Sequence, residues 1–218
     1  MIKNVIFDVD GVIRTIKIQP VTNFLSNELA EKYGPRYDGV TIRNYFDKLL
    51  HNEIFDKFDL GQIDLQELIK LISERHNEPI EVLQEVMSRR LELQNNIFFV
   101  PTMNLIKKLK EEGYNIFILS NMGIDMAQVL KEVFAECEFD DIVFSSEVHM
   151  MKPNLEIYEY ALNRFNARPE ECLFVDDRLV NLEPFKKLGG NIYEFNPKNV
   201  EESVKGLEEM LTPSTFSK

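Results

Sequence analysis

Val5-Ile6-Phe7-Asp8-Val9-Asp10-Gly11 decides the fold of this chain, because a β-branched and aromatic run ends abruptly on two acids and a glycine. Such a run reads as a buried strand that stops at Asp8. The pattern returns as Asn115-Ile116-Phe117-Ile118-Leu119 ending at Ser120-Asn121, and as Ile142-Val143-Phe144 ending at Ser145-Ser146. It appears again as Cys172-Leu173-Phe174-Val175 ending at Asp176-Asp177, and as Asn191-Ile192-Tyr193-Glu194-Phe195. These runs barely alternate, as expected of parallel strands buried on both faces.

Helical periodicity fills the gaps. Leu105, Ile106 and Leu109 space one helix that Gly113 closes, and similar stretches cover roughly 124–135, 155–165, 181–188 and 199–211. Strands alternating with helices predict a doubly wound parallel α/β sheet, a Rossmann-like core whose ligands sit outside the carboxyl ends of the strands. Residues 16–98 break the alternation with amphipathic stretches at 21–33, 41–50, 64–76 and 80–94. The expected organisation is a catalytic core of residues 1–15 and 99–218 with an inserted helical cap at 16–98, placed to cover the edge where Asp8 sits. Residues 212–218 read as a loose tail.

A chain of 218 residues can bury a substantial core, which excludes a peptide-sized module. Counting 25 Lys and Arg against 37 Asp and Glu gives a net charge of -12, so the long-range field repels nucleic acid and anionic membrane surfaces. Any anionic substrate would have to be drawn in by a local cation. Cys137 and Cys172 have neither metal-type spacing nor the density of a secreted disulfide framework. Met1 leads directly into a strand-like segment, and no apolar run approaches membrane-spanning length. The expectation is a soluble, cytoplasmic protein.

Asp8 and Asp10, two apart at a strand end, point to the same side. Alone, they read as an acidic turn. Ser120-Asn121, Lys152-Pro153 and Asp176-Asp177 change that reading, because a parallel sheet brings all of them to one edge. Phe7-Asp8-Val9-Asp10-Gly11-Val12, Leu119-Ser120-Asn121, Met151-Lys152-Pro153 and Phe174-Val175-Asp176-Asp177 together resemble the four ordered motifs of the haloacid dehalogenase-like (HAD) hydrolase superfamily. The resemblance spans residues 1–15 and about 99–197. The insert resembles that family's first-type cap in position and helix count but carries no cap motif, and Asp59-Leu60-Gly61-Gln62-Ile63-Asp64 with Glu67-Leu68 resembles a stretch of its sugar-phosphatase-like members.

The resemblance implies a phosphatase acting on a small phosphorylated metabolite. Asp8 becomes the nucleophile that forms an acyl-phosphate, and Asp10 the acid that protonates the leaving oxygen and later activates water. A carboxylate and a phosphate repel at attacking distance, so a hard divalent cation, Mg2+, must bridge them. Its implied ligands are Asp8, the backbone carbonyl of Asp10, and Asp177 or Asp176. The Ser120 hydroxyl, the Asn121 backbone amide and the Lys152 ammonium are the implied donors to the phosphoryl oxygens. Asn181 falls where the family often places a supporting polar group.

Plainer readings stand beside these. An isolated lysine is ordinarily a solvated surface group, and a serine after a strand is ordinarily a cap. His51, His76 and His149 lack partner spacing and read as structural or exposed, and the two cysteines as inert packing residues. Asn96-Ile97-Phe98-Phe99-Val100-Pro101 reads as a linker packed between cap and core. Arg14, Thr15 and Lys17 face either the pocket or a hinge surface. Three rival functions share the fold. A phosphomutase would add a histidine and a lysine from the cap, a dehalogenase needs neither metal nor Asp10, and a silent binding protein would have lost Asp8, Asp10 or Lys152.

Overall fold

The computed structural model describes residues 1–15, 27–37, 52–94 and 98–211, with backbone alone for 89–94. Its centre is a five-stranded sheet of β1 (Asn4–Phe7), β2 (Asn115–Ser120), β3 (Asp141–Phe144), β4 (Cys172–Asp176) and β5 (Asn191–Glu194). The order is β3-β2-β1-β4-β5 and every pairing is parallel. The expected doubly wound α/β core is therefore present, with all five strands where the apolar runs stand. Phe7 lies in register with Ile118 on one side and Val175 on the other, which sets Asp8 at the middle of the carboxyl edge. The chain leaves β1 toward β2 on one side and reaches β4 on the other, so Asp8 stands where the winding reverses.

Both faces of the sheet are covered, as the unalternated strands require. Val5, Phe7, Ile116, Ile118, Leu173 and Val175 face one layer, packing against α4 (Val100–Glu111), α5 (Ile124–Phe134) and α9 (Val200–Leu211). Ile6, Phe117, Leu119 and Phe174 face the other, against α7 (Leu155–Arg164) and α8 (Leu179–Lys187). All four residues of β1 are buried, and each large apolar side chain so enclosed contributes about 1.5–3 kcal/mol relative to exposure.

A third apolar cluster lies apart from the sheet. It joins Leu29 and Tyr37 to residues of α1 (Glu53–Asp59), α2 (Leu65–His76) and α3 (Ile80–Gln94). Asp64 caps α2 by accepting from the Glu67 N–H at 2.8 Å, and Asn77 ends it in the left-handed conformation with φ 52°. Helix α1 was not expected. Seven residues give too few turns for a period to emerge, and its signal is the Asn52 side chain accepting from the Ile54 N–H at 2.9 Å.

Other boundaries also shift. Ser145-Ser146 does not simply end β3 but opens the short helix α6 (Ser145–Val148). Helix α4 begins at Val100 rather than Met103, since Pro101 is well suited to a first turn. Phe98 and Phe99 pack against the sheet's first layer. The stretch at 41–50, His51, Asn96, Ile97, Lys17 and the tail at 212–218 lie outside the described residues.

Candidate active site

Three strand ends and one loop supply the polar groups. Asp8 follows β1, its N–H bonded to the Val175 carbonyl at 2.9 Å, and its side chain is buried. Lys152, between α6 and α7, is 2% exposed and sits 2.9 Å from Asp8 Oδ1 and 2.6 Å from Asp176 Oδ2. The buried Ser120 side chain, at the end of β2, lies beside Asp8 and acts to hold its pKa down. Asn121 then grips the lysine's backbone. Its Oδ1 accepts from the Lys152 N–H at 2.8 Å and its Nδ2 donates to the Lys152 carbonyl at 2.9 Å.

Asp176 closes β4 with both oxygens engaged. Oδ2 accepts from Lys152, Oδ1 from the Arg178 N–H at 2.8 Å, and Asn181 Nδ2 lies 3.1 Å from each. Asn181 is held in turn by the Tyr158 hydroxyl, which donates to its carbonyl at 2.7 Å. Asp177 is half-buried against Gly11, where a Cβ would come within 2.5 Å of Asp177 Oδ2. Gly11 also has φ +87°, so both space and backbone conformation demand glycine there.

Asp8, Asp176 and Asp177 each offer an oxygen within 4.8 Å of the others. Three carboxylates against the single Lys152 ammonium leave the cluster deficient in positive charge. Burial pushes the Asp8 carboxyl up to about 7; Lys152 opposes the rise and Asp176 adds to it. Asp177 rises to about 6, through burial first and then the charge of Asp176. Burial works against the Lys152 ammonium, yet Asp8 and Asp176 outweigh it and hold its pKa above the ordinary lysine value. Such a set of hard anionic oxygens suits a divalent cation with oxygen ligands, and thiol or imidazole donors are absent from the group.

Asp10 stands aside from this trio. Its Oδ1 accepts from Arg14 Nε at 2.6 Å and is also ion-paired with Arg14 Nη2. Arg14 is therefore no hinge-surface residue, being 1% exposed. The pairing was missed although opposite charges four apart, beside a suspected site, are a legible signal. The side-chain grip of Asn121 on Lys152 was missed as well, and no spacing could have suggested it. Outside the site, His149 Nδ1 bonds the Leu60 carbonyl at 2.8 Å, a structural role. Burial raises the Cys172 thiol to about 11, which keeps it unreactive.

A doubly wound sheet carrying four acids, a buried lysine and a serine on one edge defines a hydrolase core, and the family profile agrees. That of the haloacid dehalogenase-like hydrolases matches residues 2–189, and the chain belongs to this family. It is 26% identical over 181 residues to pyrophosphatase PpaX of Bacillus mycoides, covering 81% of this chain and 75% of that protein. It is 31% identical over 94 residues to bifunctional epoxide hydrolase 2 of Rattus norvegicus, covering 41% of this chain and 17% of that one. The chain spans less than half the length of several curated relatives it matches. Its fold is also that of a HAD family enzyme from Bacteroides thetaiotaomicron solved with magnesium and inorganic phosphate. The TM-score is 0.63 at 23% identity, covering 89% of this chain and 94% of that one. Among the described residues, no helix is long and apolar enough to cross a membrane.

Proposed function

We propose that this protein is a magnesium-dependent phosphatase of the cytoplasm that hydrolyses a small phosphate monoester, with sugar phosphates a candidate class, through a phosphorylated Asp8. The observation that carries the reading is the burial of Asp8 beside Lys152 and Ser120, with Asp176 and Asp177 close enough to share a cation. Relatives named as a pyrophosphatase and a sesquiterpene phosphatase support it, as does the magnesium and phosphate complex of the Bacteroides enzyme.

Asp8 attacks phosphorus in line, and the bond from phosphorus to the ester oxygen breaks as Asp10 gives that oxygen a proton. Asp10 then takes a proton from water, which attacks the phosphorus of the aspartyl-phosphate and returns Asp8 with inorganic phosphate. The Lys152 ammonium, the Ser120 hydroxyl and the Asn121 backbone N–H stabilise charge on the phosphoryl oxygens. Asp8 and Asp177, with the backbone carbonyl of Asp10, would hold Mg2+, and Asp176, already engaged by Lys152 and Asn181, braces the set. The ion supplies charge neutralisation between carboxylate and phosphate. Within the insert expected at 16–98, the described helices α1, α2 and α3 act as a cap over this edge.

Hydrolysis of p-nitrophenyl phosphate with added magnesium tests the reading. EDTA is expected to abolish turnover, and Asp8→Asn, nearly isosteric, to abolish it while leaving the protein folded. Activity that survives chelation would favour the dehalogenase alternative, and a near-normal rate for Asp8→Asn would remove the nucleophile.

A further inference from the structure

We propose that Arg14 is a positioning residue for Asp10, an inference that rests on the phosphatase reading above. Among the described residues Arg14 is the largest fully buried side chain, and a guanidinium in such a place is costly unless a specific partner holds it. That partner is Asp10. Nε and Nη2 both converge on the same oxygen, Oδ1, while Nη1 approaches Met126 Sδ at 3.2 Å. Oδ2 receives no hydrogen bond among the described residues, and the carboxylate retains 31% exposure toward the edge of the sheet. One oxygen is clamped and the other is left to exchange a proton with a reacting group.

The backbone reinforces the clamp. The Gly11 N–H bonds the Arg14 carbonyl at 2.8 Å, and the N–H groups of Ile13 and Arg14 both reach the Val9 carbonyl at 2.9 Å. Arg14 also bridges to Phe98, where the chain returns from the helical region. Asp10 and Arg14 are thus two ends of one tight turn. A guanidinium suits the task because its planar fork fixes direction, which a rotatable ammonium does not.

A residue that merely stabilised the fold would affect all substrates alike, whereas one that aims Asp10 must matter most where the leaving oxygen needs its proton. The experiment measures kcat/KM, which reports the step that expels the leaving group and not the later hydrolysis of the shared aspartyl-phosphate, on p-nitrophenyl, phenyl and benzyl phosphate for the wild type, Arg14→Met, Arg14→Lys, Asp10→Asn and the Asp10→Asn/Arg14→Met double variant. For Arg14→Met we expect a loss of about 30-fold or more on benzyl phosphate and less than about 3-fold on p-nitrophenyl phosphate, the former approaching the roughly 100- to 10,000-fold that a positioned general acid contributes. Arg14→Lys is expected to recover part of the loss, and the double variant to be no worse than Asp10→Asn alone. A partly folded variant lowers all rates in proportion and leaves their ratio untouched, and Arg14→Lys provides the same ratio should Arg14→Met give no soluble protein. Equal losses on the three esters, or additive losses in the double variant, would overturn the assignment of Arg14. A wild type inert on every ester would overturn the phosphatase reading itself.

Discussion

Lys152 and Arg14 are the two buried cations among the described residues, and they serve opposite halves of the acid set. Lys152 is a point charge shared between Asp8 and Asp176, with its ammonium 5.3 Å above the Phe174 ring. Arg14 directs its fork at one oxygen of Asp10. The contrast separates two tasks: one cation holds a crowded set of carboxylates together, and the other points a single carboxylate. Removing the first unbalances the whole edge, while removing the second releases a single carboxylate of the acid set.

The largest effect is therefore expected for Lys152→Met. It strips Asp8 and Asp176 of their shared partner and the phosphoryl group of a donor, so kcat should fall by about 100- to 1,000-fold. Breaking a buried pair by deleting one member also costs about 3–5 kcal/mol of stability. Thermal melts in EDTA and steady-state rates with magnesium check the two halves. Should Arg14→Met prove the more damaging to both, the division of labour is wrong.

A pH dependence sharpens the same comparison from the side of the carboxylates. Asp8 rises from 3.8 to about 7 and Asp177 from 3.8 to about 6, so each binds its proton more tightly in the folded protein. Their contribution to stability is fully present below pH 3.8 and is lost as pH rises through about 6 and 7. Metal-free protein should accordingly melt at progressively lower temperature between pH 5 and 8, and Asp8→Asn should flatten that slope. Magnesium competes with those protons and is expected to raise the melting temperature more at pH 8 than at pH 5. A flat or rising profile in EDTA would mean that Lys152 alone balances the cluster.

The carboxyl edge of the sheet was legible because its polar groups fall where strands end. Asp8, Ser120 and Asp176 each follow an apolar run too short and too uniform to be anything but a buried parallel strand. The helical region was legible only in part. The periods of α2 and α3 were evident, whereas α1 is held by an asparagine cap and by Phe58, whose ring lies 2.2 Å from where a Gly123 Cβ would stand. That contact joins residues 65 positions apart, and nothing local announces it. The same holds for Asn121, whose two bonds to the Lys152 backbone cross 31 positions. Arg14 lay in plain view at four residues from Asp10, but an arginine beside a glycine turn ordinarily reads as solvated, and only burial reverses that.

The smallest effect is expected one layer behind Lys152. Asn181 contributes two 3.1 Å bonds to Asp176, which Lys152 and the Arg178 N–H already hold at 2.6 Å and 2.8 Å. Deleting this amide in Asn181→Ala leaves Asp176 restrained but free to rotate toward Asp177. The expected result is roughly 10-fold weaker magnesium binding, as for other groups that orient metal ligands, with kcat at saturating magnesium close to that of the wild type. Isothermal titration calorimetry with Mg2+ separates this from Lys152→Met, in which kcat falls at any metal concentration. If Asn181→Ala instead lowered kcat and left metal affinity intact, Asp176 would belong with Lys152 in handling the phosphoryl group rather than in bracing the cation.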